Sequence, residues 1–406
     1  MGSPLLFIAC GDSFDEPNNE KVKGGELFVN FPASAIKLEL LGKGLIDENR
    51  TVYGYKAYKI PYTTTNEEGN EVDVSGLLVL PIGLPSIVNS TLGLSMVSDG
   101  HGAIFKNSEA PSVIADETGA PSGSSVLFTS LGGFATLQSD YIGFGDSKND
   151  YHPFLLKKSS ADTTIDFIEQ VKIFSKENNI TLNNQLFLTG YSEGGYTTMA
   201  TLQKIEEENE LFVSMAIPMA GPYALESVVD GVLSQPKLEV PSFIANIGYA
   251  YVQSHDQELR LVINEPYAST LPILLNGDIN RSEIDSKLTK ITTGEKGLFV
   301  SKFVNDYFTK DTHWFKNAMR TNSVHAWKAN TPIRLLHCKK DEIIPYSISE
   351  LTEITMNAMG ARDVKLISVE ETLGMKTEAG HIGCGTLAYS LATTLFATVR
   401  KETIGY

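Results

Sequence analysis

The run Gly190-Tyr191-Ser192-Glu193-Gly194-Gly195 constrains this chain more than any other segment. It follows the apolar run Leu186-Phe187-Leu188, which reads as a strand, and leads into Gly194 to Glu207, which reads as a helix. A chain that passes from strand to helix in one residue strains the backbone at the apex. Small residues two before and two after the apex relieve the crowding, which is the place of Gly190 and Gly194. The apex is Ser192. Its hydroxyl projects from the sheet edge, and the following helix turns its positive end toward it. An ordinary turn serine needs none of this, so Ser192 is the candidate nucleophile.

The rest of the chain supplies the sheet such a turn requires. Val52 to Tyr62 and Val72 to Leu80 read as two strands around Asn66-Glu67-Glu68-Gly69-Asn70. Leu92 to Val97 and Phe134 to Ser139 are short apolar strands, each ending in a Gly- and Asp-containing turn. Ala161 to Ser175 places Ile165, Phe167, Ile168, Val171 and Phe174 at helical spacing. Phe212 to Pro218, Ile333 to His337 and Val364 to Val369 read as further strands, with helices over Ser347 to Met359 and Gly383 to Arg400. Alternation of this kind predicts a mostly parallel, doubly wound α/β sheet. Residues 221–330 break the rhythm. They contain no convincing strand and read as a helical cap inserted into a core formed by residues 31–220 and 331–406, with residues 1–30 as a signal remnant and tether.

A serine hydroxyl is a weak nucleophile and needs a base oriented by an acid. A nucleophile turn of this type takes the acid and then the base from later in the chain. Asp341, in the loop after the Ile333–His337 strand, is the candidate acid, and Glu342 is its rival. His381, between the last strand and the last helix, is the candidate base. His101 and His152 precede the serine, His255, His313 and His325 fall in the cap, and His337 is inside a strand. Acyl transfer also needs donors for an oxyanion. The backbone N–H of Glu193 is one candidate. Ala103, with Gly102 as alternative, is the other, in a turn that His101 shapes.

With 42% hydrophobic and 20% charged residues, the 406-residue chain has a globular composition. Its net charge of -16 repels phosphate backbones, which argues against nucleic acid as a partner. No run of about 18 apolar residues is evident, so no membrane span is expected. At the N-terminus, Leu5-Leu6-Phe7-Ile8-Ala9 leads into Cys10, the pattern of a bacterial lipoprotein signal that ends at an acylated cysteine. Gly11 to Lys23 is polar and acidic, in the manner of a tether. The expected location is therefore the bacterial cell envelope, through Cys10, or the exterior.

Beyond these local readings the sequence resembles bacterial members of the secretory-lipase-like group of α/β-hydrolases. The matching pieces are Ser75-Gly76-Leu77-Leu78-Val79-Leu80-Pro81, Asp140-Tyr141-Ile142-Gly143-Phe144-Gly145-Asp146-Ser147, Tyr151-His152-Pro153-Phe154, the turn at Ser192, and Gly221-Pro222-Tyr223. The resemblance implies an α/β-hydrolase fold with a helical cap, and an esterase or lipase with no cofactor and no metal. It also implies a small-molecule ester or lipid as substrate, with Ser192, Asp341 and His381 as the triad. Where many relatives have His-Gly before the acid, this chain has His337-Cys338.

Three functions compete. An esterase or lipase favouring short to medium acyl or aryl esters suits a cap rich in aromatic residues, among them Phe243, Tyr249, Tyr251, Phe299, Phe303 and Trp327. Most of these read as the cap's own core. A serine peptidase or amidase uses the same triad. A non-catalytic ligand-binding lipoprotein has no reason to keep all three groups in order. Finally, Cys338 and Cys384 flank Asp341 and His381, and a disulfide between them is one reading. The other, preferred on sequence, is that Cys338 packs as a small buried hydrophobe.

Overall fold

The structure is a computed structural model that describes residues 20–42, 46–118, 120–209, 211–375 and 379–406. Ten strands form one sheet: β1 (Glu20–Val22), β2 (Gly25–Phe31), β3 (Gly54–Thr65), β4 (Glu71–Ile82), β5 (Leu94–Gly100), β6 (Ala135–Ser139), β7 (Leu182–Tyr191), β8 (Val213–Met219), β9 (Ile333–His337) and β10 (Val364–Ser368). Their spatial order is β1-β2-β3-β4-β6-β5-β7-β8-β9-β10. β1 to β4 and the β4–β6 pair are antiparallel, and every pairing from β6 to β10 is parallel. The loops that follow the parallel strands therefore open at one sheet edge, where α/β sheets bind ligands.

The central parallel strands are buried along their length, because helices cover both faces. All seven residues of β5 and all five of β6 are buried. Successive residues of β7 point to opposite faces. Leu186 and Leu188 join the cluster containing Phe167, Ile168 and Val171 of the Lys157–Glu177 helix. Phe187 points the other way, to Phe396 of the His381–Ile404 helix, with ring centroids 4.6 Å apart. Truncating Phe396 to alanine is expected to cost about 3–5 kcal/mol.

One expectation, the extent of the N-terminal tether, is corrected by the sheet. Residues 20–30 are not tether: β1 and β2 extend the antiparallel arm, β2 pairing with β3 through Glu26–Lys59 and Leu27–Tyr58. Cys10 and the rest of the expected tether, up to residue 19, lie outside the described residues. Among the described residues one helix, His381–Ile404, is long and apolar enough to cross a membrane by length and composition, though not as one unbroken apolar run. Its serines and threonines interrupt the apolar run in the sequence. In the fold Cys384, Ala388, Leu391, Ala392 and Phe396 form one face packed on the sheet.

Between β8 and β9 the chain forms helices at Leu225–Leu233, Pro241–Ser254, Tyr267–Leu274, Arg281–Lys287, Ser301–Thr309 and Trp314–Asn322. The cap contains isolated bridges but no strand among the described residues. Tyr251, Phe299, Phe303, Tyr307 and Phe315 are buried and pack ring against ring within the cap.

Candidate active site

Ser192 sits between β7 and the Glu193–Glu208 helix with φ 60° and ψ −117°, a conformation that a non-glycine residue reaches only under strain. The flanking glycines are needed for contact reasons. A Cβ on Gly190 would lie 2.4 Å from the Gly194 carbonyl oxygen, and one on Gly194 would lie 1.8 Å from that of Gly100. The backbone of the turn and the end of β5 thus touch directly, and no side chain fits between them.

His381 and Asp341 reach this turn from the two loops that follow β9 and β10. The β9 loop carries Asp341. After β10 the chain forms a short helix, Val369–Thr372, rather than the plain loop expected, and His381 opens the final helix. His381 Nε2 lies 2.9 Å from Ser192 Oγ, and His381 Nδ1 lies 2.6 Å from Asp341 Oδ2. With the proton on Nδ1 donated to the carboxylate, Nε2 is free to accept the serine O–H. Asp341 is also held by the backbone N–H groups of Ile343 and Ile344 on Oδ1. Burial works to raise its pKa. Hydrogen bonds from His337 and His381 outweigh that and hold the carboxyl well below the usual carboxylate range.

Several contributors were not read from the sequence. His337, taken only as a strand residue, is fully buried, and its Nε2 lies 3.1 Å from Asp341 Oδ2 while Ser349 Oγ occupies Nδ1 at 2.7 Å. Glu342, weighed as the rival acid, instead accepts the backbone N–H of His381 on Oε2 at 2.9 Å. Tyr191 donates its hydroxyl to the His381 carbonyl at 2.6 Å. His381 is therefore held by its ring, its N–H and its C=O. The available signal was proximity in sequence: His337 stands four residues before Asp341, and Tyr191 directly before the nucleophile. Cys338 and Cys384 are disulfide-bonded, with Cα atoms 6.0 Å apart, which overturns the preferred reading of Cys338 as an unpaired hydrophobe. The pairing arises because β9 and β10 are parallel neighbours whose following segments converge.

The Gly102 turn passes over the nucleophile: a Cβ on Gly102 would lie 3.3 Å from the Tyr191 carbonyl oxygen and 3.7 Å from Ser192 Cβ. The Glu193 N–H lies in the first helical turn, whose donors have no partner within the helix. Ala103, Ser192 and Glu193 border the same cavity. His101 stands in this turn with Nδ1 2.8 Å from the Gly102 carbonyl oxygen and Nε2 3.3 Å from that of Asp140. Burial pushes its pKa down.

That cavity encloses about 630 Å³. Val228, Val232, Ile244 and Ile247 line it from the cap, and Ile344 and Ile348 from the core. Of the cap aromatics, Phe243 borders it. No group of three or more His, Cys, Asp or Glu residues among the described residues is arranged to hold a metal ion.

The sequence model of the prolyl oligopeptidase family matches residues 122–223, about a quarter of the chain, a span that holds Ser192 but neither Asp341 nor His381. No curated protein matches the chain. Among solved structures, a candidate hydrolase from Legionella pneumophila is similar with TM-score 0.79 and 22% identity over 93% of this chain and 97% of that one. The rice cell wall degrading esterase LipA from Xanthomonas oryzae is similar with TM-score 0.77 and 21% identity over 93% and 96%. Candida antarctica lipase A is similar with TM-score 0.61 and 14% identity over 91% and 78%.

Proposed function

The chain has the α/β-hydrolase fold, and from that premise we propose that it is a serine hydrolase that cleaves carboxylic esters of short to medium acyl chain. The observation that carries this reading is the continuous contact Ser192 Oγ–His381 Nε2, His381 Nδ1–Asp341 Oδ2 at the mouth of an apolar cavity. Ser192 attacks the ester carbonyl as His381 Nε2 takes its proton, and Asp341 stabilises the imidazolium. The N–H groups of Glu193 and Ala103 meet the oxyanion. His381 returns the proton to the leaving alcohol. A water activated by the same histidine then releases the acid from Ser192. The apolar walls from the cap and core suit an acyl chain. Similarity to solved esterases and a lipase supports the same choice. From the run Leu5-Leu6-Phe7-Ile8-Ala9-Cys10 we also propose that the enzyme is tethered to the cell envelope through Cys10 or is secreted.

The prolyl oligopeptidase match favours a second reading, a peptidase or amidase. Paired p-nitrophenyl butyrate and p-nitrobutyranilide assays decide between them. Ester turnover at least about a hundredfold above the anilide is expected, and faster anilide turnover would make amide cleavage the better assignment.

A further inference from the structure

Glu193 directly follows the nucleophile, and its side chain is buried, 4% exposed. A carboxylate there stands beside the position where acyl transfer develops negative charge, and like charges repel more strongly away from water. Among the described residues one side chain hydrogen-bonds it. His152 Nε2 lies 2.7 Å from Glu193 Oε1, while Glu193 Oε2 has no partner. On the far side of the ring, His152 Nδ1 lies 2.8 Å from the Ile142 carbonyl oxygen. A carbonyl only accepts, so Nδ1 carries a hydrogen. The Nε2–Oε1 contact then requires one further proton, on the ring or on the carboxyl. In either placement the pair has no net charge.

The ring is held in place. Phe144 lies 5.0 Å from it, and Tyr141 lies 6.1 Å away in a nearly parallel plane. A Cβ on Gly143 would come within 2.8 Å of the His152 backbone, so glycine lets the two strands of this loop approach. Tyr141 stacks in turn on His101 at 4.0 Å, in the turn that carries Gly102 and Ala103. A chain of contacts therefore links the residue bearing one oxyanion donor to the turn bearing the other.

We propose that His152 is a positioning residue for the oxyanion site: by sharing a proton with Glu193 it cancels the carboxyl's charge and holds the first turn of the helix against the His101-Gly102-Ala103 turn. This rests on the serine-hydrolase reading above. It accounts for the His152-Pro153 motif, which no triad role explains.

The test compares the full chain with His152→Gln, whose amide reaches where Nε2 was, and His152→Phe, which has no donor. Three quantities are measured: kcat and KM on p-nitrophenyl butyrate, inhibition by an alkyl trifluoromethyl ketone, and inhibition by the matching carbinol. The ketone accepts Ser192 Oγ at its carbonyl carbon. The C=O π pair moves onto oxygen as an oxyanion, and the serine proton goes to His381. The carbinol fills the cavity without forming an oxyanion. His152→Phe is expected to lower kcat about 10- to 100-fold with KM within about twofold, and to weaken the ketone by the same factor while leaving the carbinol unchanged. His152→Gln, which restores a donor but brings no proton to share, is expected to recover part of that loss, at least about twofold and less than all of it. A folded Phe variant with unchanged kcat, or equal weakening of ketone and carbinol, overturns the proposal. If the Phe variant does not fold, Gln against Asn, too short to reach Glu193, makes the same comparison. A wild-type chain that neither turns over ester nor is labelled by a fluorophosphonate overturns the serine-hydrolase reading itself.

Discussion

Cys338 and Cys384 are covalently joined across 46 residues of sequence, tying the end of β9, just before Asp341, to the helix that opens at His381. The candidate acid and base, Asp341 and His381, thus sit on segments that cannot drift apart independently. Closing a loop of this length restricts the unfolded chain, worth about 3–4 kcal/mol on the chain-entropy model. Cys338→Ser with Cys384→Ser is expected to lower the free energy of unfolding by up to that amount in urea titrations. Reductant should destabilise the wild type and leave the double variant unaffected. Two free thiols beyond Cys10 in denatured, unreduced protein would contradict the bond.

Ser192→Ala should reduce ester turnover at least about a thousandfold, because nucleophile activation is lost as a unit. His381→Ala should be comparably inactive, while His101→Ala, outside the proton path but within the oxyanion turn, should lose no more than about the 10- to 100-fold expected of His152→Phe. A fluorophosphonate should label the wild type once per chain. Labelling that persists in Ser192→Ala would reassign the nucleophile.

Asp99 gives the protein a pH-dependent stability term. It is fully buried at the end of β5, and burial pushes its carboxyl up to about 7 against hydrogen bonds from Ser124 and Gln138. The folded value lies above the unfolded value of about 3.9, so the fold binds the proton more tightly than the unfolded chain. The resulting stability is fully present below pH about 4 and is lost as pH rises through about 7. Between pH 4 and pH 8 the wild type is expected to lose stability relative to Asp99→Asn, of the order of 3–4 kcal/mol at most. Parallel unfolding curves of the two proteins at both pH values measure it, and a difference that does not change with pH would rule it out.

The cavity should set chain-length preference without setting the chemistry. Ile247, on the Pro241–Ser254 helix of the cap, lines it beside Val228 and Ile244. Ile247→Trp fills part of this space. It is expected to lower kcat/KM for p-nitrophenyl decanoate at least about tenfold relative to acetate, since apolar pockets discriminate by the methylenes they admit. An unchanged decanoate-to-acetate ratio would place the acyl chain elsewhere.

The turn at Ser192 was legible because its requirements are local. A strand, one strained residue and a helix must follow one another, and only Gly190 and Gly194 tolerate the contacts at 2.4 Å and 1.8 Å that this creates. The alternation of strands and helices was legible for the same reason, through periodicities of two and 3.6 residues. β1 was missed because a three-residue edge strand, Glu20-Lys21-Val22, carries no apolar pattern; β2, Gly25-Glu26-Leu27-Phe28-Val29-Asn30-Phe31, carries one but directly follows a polar terminal stretch. The His381–Ile404 helix was recognised as a helix but not as a long apolar one, since its threonines and serines hide the run.

The sequence by itself determined the strained serine, the doubly wound core and the helical insertion, because each is written in neighbouring residues, and it offered Asp341 and His381 as candidate acid and base by their place after later strands. Only the tertiary structure decided which distant groups meet. Cys338 bonds Cys384, His337 shares Asp341 with His381, Glu342 holds a backbone N–H rather than a ring, and His152 reaches Glu193. These partners lie between 4 and 46 residues apart in the chain. No spacing rule connects them. Their contacts exist because parallel strands deliver their following loops to one edge of the sheet, and the register of that sheet, set by burial of its two faces, fixes which side chains arrive within hydrogen-bond distance.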